Sequence, residues 1–437
     1  MEAVARRFYI ETLGCPKNQV DSEKLLGKME ADGLSATDDP AKADVIVVNT
    51  CAFIEEARRE SIDTILALDD QKKRGAKLVV TGCMAERYGD ELVEALPEAD
   101  QIAGFGVAIE MGKKPKKSLA VSASIPEFDL LNLPRPKSAA PWAYVKIAEG
   151  CDRTCGFCAI PSFRGPQRSR DMSSILDEVK ELGAQEIVLI AQDLASYGKD
   201  RPDQLGAGSI VPLVREVSAL VPRTRLLYLY PSDLSDELID AIIATGVPYF
   251  DLSLQHASKE HLRRMRRWGD GPRFIERIKR IRELSPDAAF RSNFIVGYPG
   301  ETEDDHDQMI RFVEEADLDW CGFFTYSAEE GTYAATLPDQ VPQGLMDERI
   351  AELREIQDAK SDAAQDHAVG RTFEVLVDEP GVARSYREAP EIDGVVHVSE
   401  SLAAGTFHNV EIVGAFGPDL VAAGSALDES GDMDHAS

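Results

Sequence analysis

The sequence predicts an α/β protein of three domains, and three observations support this prediction. Strand-like apolar runs alternate with helical stretches over residues 1–123. Six strand-like segments with helical periodicity between them occupy residues 142–370, and short alternating strands occupy residues 371–427. Strands that alternate with helices are typical of parallel sheets, whereas short alternating strands with frequent turns are typical of small antiparallel barrels.

The first domain contains three apolar strands that each end at a cysteine. They read RFYIETLGC, ADVIVVNTC and KLVVTGC, and helix-like segments follow the first two at Asp21–Gly33 and Ala57–Asp69. Residues 124–141 belong to a Pro-rich stretch, which we interpret as a linker.

The second domain is predicted to be a partial (βα)6 barrel. Its strands are AYVKIAEGC, EIVLIAQD, RLLYLYPS, YFDLSLQHA, FRSNFIVGYPG and WCGFFTYS, and apolar residues between them share one helix face, as Ile175, Val179 and Leu182 do. Six such units joined by right-handed crossovers fall short of the eight that close a barrel. A helical segment from about Leu345 to Ala368 ends this domain at Gly370.

The last domain is predicted to be a small antiparallel β-barrel over residues 371–427. Residues 428–437 contain too little apolar surface to fold, and we expect a frayed tail there.

Three cysteines lie in the run EGCDRTCGFC, at Cys151, Cys155 and Cys158. This spacing places three thiolates in one loop, which favours an iron–sulfur cluster with one iron left free of protein ligands. The alternative is a structural zinc site, which needs a fourth Cys or His, usually from a second short-spaced pair. The sequence contains no second short-spaced pair of cysteines.

A second set consists of Cys15, Cys51 and Cys83, which follow the three strands of the first domain. Because the carboxyl ends of parallel strands share one edge of a sheet, we expect these thiolates to meet in one crevice and to hold a second cluster. The alternative is three unrelated core thiols. Cys321, in DWCGFFTYS, has no partner and is predicted to be a core residue of a strand.

The composition favours a basic partner over a nucleic acid. The net charge is −29, and residues 371–427 contain three arginines against nine acidic residues. Nucleic-acid binding depends largely on Lys and Arg, so this balance argues against an RNA substrate. The basic run RRMRRW at Arg263–Trp268 is interpreted as a solvated helix face, and the alternative is contact with ribosomal RNA or with the reactive pocket. No apolar run approaches the roughly 20 residues that span a bilayer and no signal peptide is evident, so we expect a cytoplasmic protein without a membrane partner.

Motifs over nearly the whole chain resemble the radical S-adenosylmethionine (SAM) methylthiotransferases. They are LGCPKNQVDSE, NTCAFIEEA, TGCMAERY, EGCDRTCGFCAIPSFRG, SLQHAS, FIVGYPGETE and RSYREAPEIDG. LGCPKN, IPSFRG and YREAPEIDG are similar to the branch that modifies a ribosomal protein, the RimO branch. The resemblance implies an N-terminal methylthiotransferase domain, a radical-SAM domain and a C-terminal TRAM barrel.

The resemblance further implies a reaction, its cofactors and its partners. The reaction is methylthiolation of the β-carbon of an aspartate in the twelfth small-subunit ribosomal protein, with SAM as radical source and methyl donor and two 4Fe-4S clusters. The partners are this basic protein and an electron donor such as flavodoxin or ferredoxin. By position, the implied SAM contacts are Phe157, Gln192, Asp193, Ser253, Gln255, Arg291, Asn293, Gly297, Pro299 and Gly300.

Two alternative functions remain open from the sequence. One is the sister activity, a tRNA adenosine methylthiotransferase, which the acidic last domain disfavours. The other is a non-enzymatic iron–sulfur protein that binds ribosomes. Three-cysteine sites disfavour it, because a structural or carrier cluster is normally held by four cysteines.

Overall fold

The computed structural model describes residues 6–109, 129–201 and 208–430. It has a parallel α/β sheet, then an arc of six parallel strands, then a closed barrel. The predicted α/β fold class is therefore confirmed. None of the helices in the described ranges is both long enough and apolar enough to span a membrane.

The first domain is a five-stranded parallel sheet in the order β2-β1-β3-β4-β5. All residues of β3 are buried, as expected for a parallel strand covered on both faces. The strands are β1 (Arg7–Thr12), β2 (Ser35–Ala36), β3 (Val45–Thr50), β4 (Lys77–Gly82) and β5 (Gln101–Ala103), and the helices are α1 (Pro16–Ala31), α2 (Glu55–Gln71) and α3 (Cys83–Ala95).

Helix α1 begins five residues before its predicted start, directly after Cys15. Pro16 occupies its first turn, where the fixed φ of proline suits a helix and its missing N–H costs nothing. The predicted segment Asp21–Gly33 therefore lacks the first five residues of the helix.

The described part of the predicted linker packs against both neighbouring domains, while residues 124–128 lie outside the described ranges. Leu130 and Leu131 are buried. Arg135 forms ion pairs with Glu23 of α1 and with Glu178 of the second domain. The connection is therefore fixed by burial and by charge.

The second domain contains two three-stranded parallel sheets, β10-β9-β6 and β11-β12-β13. A parallel bridge between Leu229 and Leu252 joins them into one arc. Its strands are β6 (Trp142–Lys146), β7 (Ala148–Glu149), β8 (Arg168–Ser169), β9 (Glu186–Ile190), β10 (Arg223–Leu226), β11 (Tyr249–Gln255), β12 (Ala289–Val296) and β13 (Trp320–Thr325), of which β7 and β8 form a separate antiparallel pair.

Helices cover the outer face of this arc. The predicted apolar faces are buried, including Ile175, Val179 and Leu182 on α5. The helices are α4 (Ile160–Arg164), α5 (Met172–Leu182), α6 (Val211–Ser218), α7 (Asp236–Ala244), α8 (Lys259–Arg264), α9 (Gly271–Leu284), α10 (Glu303–Ala316) and α11 (Gln343–Asp366). Cys321 lies in β13 and packs against the core, as predicted.

The third domain is a closed barrel in the order β14-β15-β16-β18-β17. The prediction of a wholly antiparallel barrel needs one correction, because β16 and β18 pair in parallel. The elements are β14 (Thr372–Glu379), β15 (Val382–Arg384), β16 (Val396–His397), β17 (Phe407–Phe416), β18 (Asp419–Ala422) and α12 (Ala426–Ser430). Helix α12 includes the first residues of the predicted tail, and residues 431–437 lie outside the described ranges.

Residues 385–393 of the third domain, here called the plug, pack against the amino ends of the arc strands. The hydroxyl of Tyr249 donates to Asp393 (2.6 Å), the hydroxyl of Tyr144 to the carbonyl of Pro390 (2.8 Å), and the indole N–H of Trp320 to the carbonyl of Arg387 (3.1 Å). The plug therefore occupies the amino end of the arc and leaves the carboxyl end for a functional site.

Candidate active site

Three neighbouring strands of the first sheet place Cys15, Cys51 and Cys83 at one edge. Cys15 is the residue before α1, Cys51 follows β3 directly, and Cys83 is the first residue of α3. Gly14 lies against Cys51 with φ +95°, and a Cβ built there would come within 2.9 Å of the Cys51 sulfur. Only glycine allows this close approach, so the local backbone is shaped around the thiols.

Burial dominates the electrostatics of this cysteine set. It raises the pKa of Cys51 to about 12 and also raises the pKa of Cys83, and the charges of neighbouring cysteines contribute to both shifts. Mutual influence of this kind requires that the three sulfurs lie close together. Such thiols ionise readily only when a metal cation compensates the charge.

The second cysteine set lies in the loop between β7 and α4. Backbone bonds hold this loop, from the N–H of Cys151 to the Gly165 carbonyl (3.0 Å) and from the N–H of Gly156 to the Met265 carbonyl (2.8 Å). Burial raises the pKa of Cys151 to about 11 and that of Cys158 to about 12. The loop thus presents one buried thiol, that of Cys151, and two partly exposed thiols, those of Cys155 and Cys158.

The spacing of both sets fits a cluster better than a single zinc ion. Among the described residues, the only trio with all ligand atoms within 4.8 Å of one another is His256, His261 and Glu301. Neither cysteine set is that compact. A tetrahedral zinc site would hold its sulfurs about 3.8 Å apart, from a Zn–S bond of about 2.3 Å. Three free cysteine thiols in each set, spaced more widely than zinc ligands, match the iron–sulfur cluster that the sequence predicts.

The trio of His256, His261 and Glu301 is poorly suited to metal binding. Nδ1 of His256 accepts the backbone N–H of Ser258 (3.0 Å), so the proton of the neutral ring is on Nε2. Glu301 already accepts the Gly297 N–H and the Arg349 guanidinium (2.9 Å). Burial lowers the pKa of His261 to about 4, so its ring is neutral, and the carboxylate of Glu301 is already occupied by Arg349.

A small cavity of about 110 Å³ opens beside the second cysteine set, and Cys151, Cys155 and Cys158 are part of its lining. Tyr228, Tyr230 and Arg153 are also on its wall. Five of the ten predicted SAM contacts line it, namely Phe157, Gln192, Asp193, Ser253 and Gln255.

The other five predicted contacts lie outside this lining. Arg291 forms an ion pair with Asp393 of the plug. The side-chain oxygen of Asn293 is buried without a hydrogen-bond partner. The turn at Gly297, Pro299 and Gly300 is held by other contacts, since Gly297 donates to Glu301 and Arg264 donates to the Gly300 carbonyl.

Sequence reasoning missed two arginines of the cavity. Arg153 forms ion pairs with Asp193 (2.6 Å) and Asp233, and lies 3.9 Å from the ring of Tyr230. Arg267 donates to the sulfur of Cys155 (3.3 Å). The interpretation of RRMRRW as a solvated helix face is therefore wrong for Arg267, which follows the end of α8 and turns inward. The sequence signal that could have indicated this is that Arg267 lies next to an aromatic residue, Trp268, within the basic run.

A buried charge network connects the two cysteine sets. Arg164 donates to the Cys83 sulfur (3.1 Å) and to Asn18 (2.8 Å), and it also bonds Glu149 (3.0 Å). Glu149 in turn accepts from the side chain of Gln192 (2.7 Å), which lines the cavity. The pKa of Glu149 is lowered to about 2, because Arg164 and Lys146 outweigh the cost of burial.

Lys17 forms a second connection between the sets. It lies two residues after Cys15, and its Nζ is 3.1 Å from the ring centre of Tyr228, which lines the cavity. The charges of Cys15 and Cys83 both act on Lys17. The first cysteine set and the cavity of the second set therefore lie on opposite sides of one lysine–tyrosine contact.

Three family descriptions match successive parts of the chain. Residues 7–104 match "Uncharacterized protein family UPF0004", residues 145–313 match the radical SAM superfamily, and residues 369–423 match the TRAM domain. A radical-SAM methyltransferase, TsrM, from Kitasatospora setae aligns with a TM-score of 0.48 at 14% identity, over 92% of this chain and 84% of that chain. That similarity is too distant to carry an argument.

The fold and the two cysteine sets define a radical-SAM enzyme with a TRAM domain. Curated relatives named "Ribosomal protein uS12 methylthiotransferase RimO" extend over nearly the full chain. The relative from Anaeromyxobacter sp. strain K is 42% identical over 98% of this chain and 95% of its own. The relative from Streptomyces coelicolor is 40% identical, with 96% of each chain covered. The chain belongs to the RimO family of radical-SAM methylthiotransferases, whose cofactors are SAM and two iron–sulfur clusters.

Proposed function

We propose that this chain inserts a methylthio group at the β-carbon of one aspartate of ribosomal protein uS12. The observation that carries the proposal is the pair of three-thiol sets on either side of one shared contact, Lys17 with Tyr228. Two sites that face each other can act on one substrate carbon. Two centres that only transfer electrons would not need to face a common substrate position.

The proposed cofactor ligands follow the two cysteine sets. Cys151, Cys155 and Cys158 would hold one 4Fe-4S cluster, and Cys15, Cys51 and Cys83 the other. Bound there, the two clusters and SAM supply the electron, the radical and the methylthio group. The proposed domains are residues 1–123, 142–370 and 371–427.

The chain itself contributes orientation and exclusion of water. The aromatic side chains of Phe157, Tyr228 and Tyr230 line the cavity. Arg153 and Asp193 neutralise each other at its rim. A dry, fixed cavity protects a reactive radical from solvent, and it places the substrate carbon without reorganisation.

The charge of the last barrel supports a basic protein as substrate and disfavours tRNA. Its three arginines all pair with carboxylates of the second domain: Arg371 with Asp287 (2.7 Å), Arg384 with Glu186 (3.0 Å), and Arg387 with Asp319 (3.0 Å). The barrel therefore has no lysine or arginine without an acidic partner to offer to phosphates, while acidic residues remain. We accordingly propose a cytoplasmic enzyme with an electron donor such as flavodoxin or ferredoxin and no nucleic-acid substrate.

Mass spectrometry of two candidate substrates tests the proposal. Anaerobically reconstituted enzyme, SAM and a reductant are incubated with uS12 and, separately, with a tRNA pool. We expect a mass gain of one methylthio group on an aspartate of uS12 and none on tRNA. The reverse result would move the chain to the tRNA branch, and no transfer to either would contradict the proposed activity.

A further inference from the structure

We propose that Lys17 binds the side-chain carboxylate of the substrate aspartate and thereby selects an acidic side chain for the reaction. This inference rests on the function proposed above. It concerns Lys17, which is not one of the six proposed cluster ligands.

The position of Lys17 suits this role. Its ammonium group lies 3.1 Å from the ring centre of Tyr228 on the cavity wall, and its backbone is two residues from Cys15. If the carboxylate of the substrate aspartate bound to Nζ, the β-carbon next to it would lie near the Lys17–Tyr228 contact, between the two cysteine sets. No residue from the second cysteine loop offers a cation in that place, because Arg153 is already paired with two carboxylates.

The ammonium group of Lys17 forms no ion pair or hydrogen bond within the described part of the chain, and it lies over the Tyr228 ring. The negative charges that act on it come from Cys15, Asp251 and Cys83, none of which forms a direct ion pair with Nζ. Two other buried lysines nearby behave differently, since Lys24 pairs with Glu178 and Lys146 pairs with Asp21. An aromatic face stabilises a partly buried cation less than a carboxylate does, so the site retains affinity for an anion.

The position of Lys17 at the amino end of a helix favours an incoming carboxylate. Lys17 lies in the first turn of α1, which contains no acidic side chain, and the amino end of a helix favours negative charge. The carboxyl group that acts on Lys17 from the arc is Asp251, which accepts the Tyr228 N–H (2.9 Å) and forms no ion pair with Nζ. Asp251 therefore does not occupy the ammonium group as an ion-pair partner.

This arrangement explains how the enzyme would select aspartate by its charge and not only by its shape. An aspartate side chain completes an ion pair with Nζ. An asparagine of the same shape, or a nucleobase, carries no charge and would leave the ammonium group without a counter-ion. Charge-assisted hydrogen bonds of this kind are among the stronger polar contacts in proteins.

A double-mutant cycle on binding tests the proposal. The affinity of the reconstituted full-length enzyme with SAM, without reductant, is measured for uS12 and for uS12 in which the target aspartate is replaced by asparagine. For the wild-type enzyme we expect uS12 to bind about tenfold more tightly than its asparagine variant. For Lys17→Met, we expect the two affinities to be nearly equal. Lys17→Arg should retain the preference, because it keeps the charge.

A matched control separates the local contact from the general loss of one positive charge. Lys28 lies on the same helix and pairs with Asp32 at the surface, so Lys28→Met should keep the wild-type preference. Iron content and circular dichroism check that each variant is folded and loaded. If Lys17→Met still prefers aspartate tenfold, the role of Lys17 is refuted while the proposed function stands. If the wild-type enzyme neither binds nor modifies uS12, the proposed function fails and this inference fails with it.

Discussion

Replacing Glu186 by Gln should loosen the attachment of the last barrel to the second domain. Both oxygens of Glu186 are engaged, by Arg225 Nε (2.7 Å) and by Arg384 Nη1 of the barrel (3.0 Å). The side chains of these three residues are 0–2% exposed. The variant would leave two buried guanidinium groups without this counter-ion.

The size of the effect follows from two independent arguments. Removing one partner of a buried ion pair typically costs about 3–5 kcal/mol. Burial raises the pKa of Glu186, but Arg384 and Arg225 outweigh burial and lower the pKa from 4.5 to about 2, which at 1.36 kcal/mol per pH unit corresponds to about 3 kcal/mol. Because the folded-state pKa is depressed, this contribution is complete above about pH 4.5 and is lost as the pH falls toward 2.

Urea unfolding of the cluster-free protein at pH 7 measures the loss. Trp142 and Trp320 both lie at this interface, next to Arg384 and the plug, so a Trp268→Phe background makes fluorescence report on it. Glu374→Gln is the matched control, since Glu374 is 61% exposed and pairs with Arg223 at 3.4 Å. The control should change stability by less than about 1 kcal/mol. A loss below about 1 kcal/mol for Glu186→Gln would refute the reasoning.

Three further outcomes are expected from the site. Cys51→Ala should abolish methylthiolated product but leave reductive cleavage of SAM, measured as deoxyadenosine; loss of both in a folded protein would contradict the division between the two sets. Arg164→Gln should shift the reduction potential of the cluster at Cys83 to more negative values, because a positive donor to its sulfur is lost; an unchanged EPR redox titration would count against it. Arg291→Ala should lower stability with an unchanged KM for SAM, since Arg291 pairs with Asp393; a large rise in KM would restore it as a SAM contact.

The fold was predictable from sequence because each local signal pointed to the same structure. Apolar runs such as Val45–Val48 become buried parallel strands, and the helical periodicity of α5 becomes a buried face. The parallel pairing of β16 with β18 was not predictable, because β16 has only two residues and carries no pattern of direction.

The candidate site was predictable where chemistry is local and not where it depends on distant contacts. Cysteine spacing identifies three thiols within one loop. It contains no information that Arg164 would reach Cys83, which is 81 residues away in sequence. Arg291 illustrates the opposite error, because a position on a barrel strand does not reveal that its partner is Asp393, 102 residues later.

The docking of the last barrel has a consequence for how the family can diversify. Arg223 and Arg225 bond the barrel largely through backbone carbonyls, those of Arg384 (3.0 Å), Glu374 (2.7 Å) and Tyr386 (2.9 Å). Every amino acid supplies a carbonyl, so this part of the attachment does not depend on the barrel's side chains. The outer surface of the barrel can therefore change for new partners while its position on the enzyme is kept, provided that the side chains that pair across the interface, chiefly Arg384, Arg387 and Asp393, are retained.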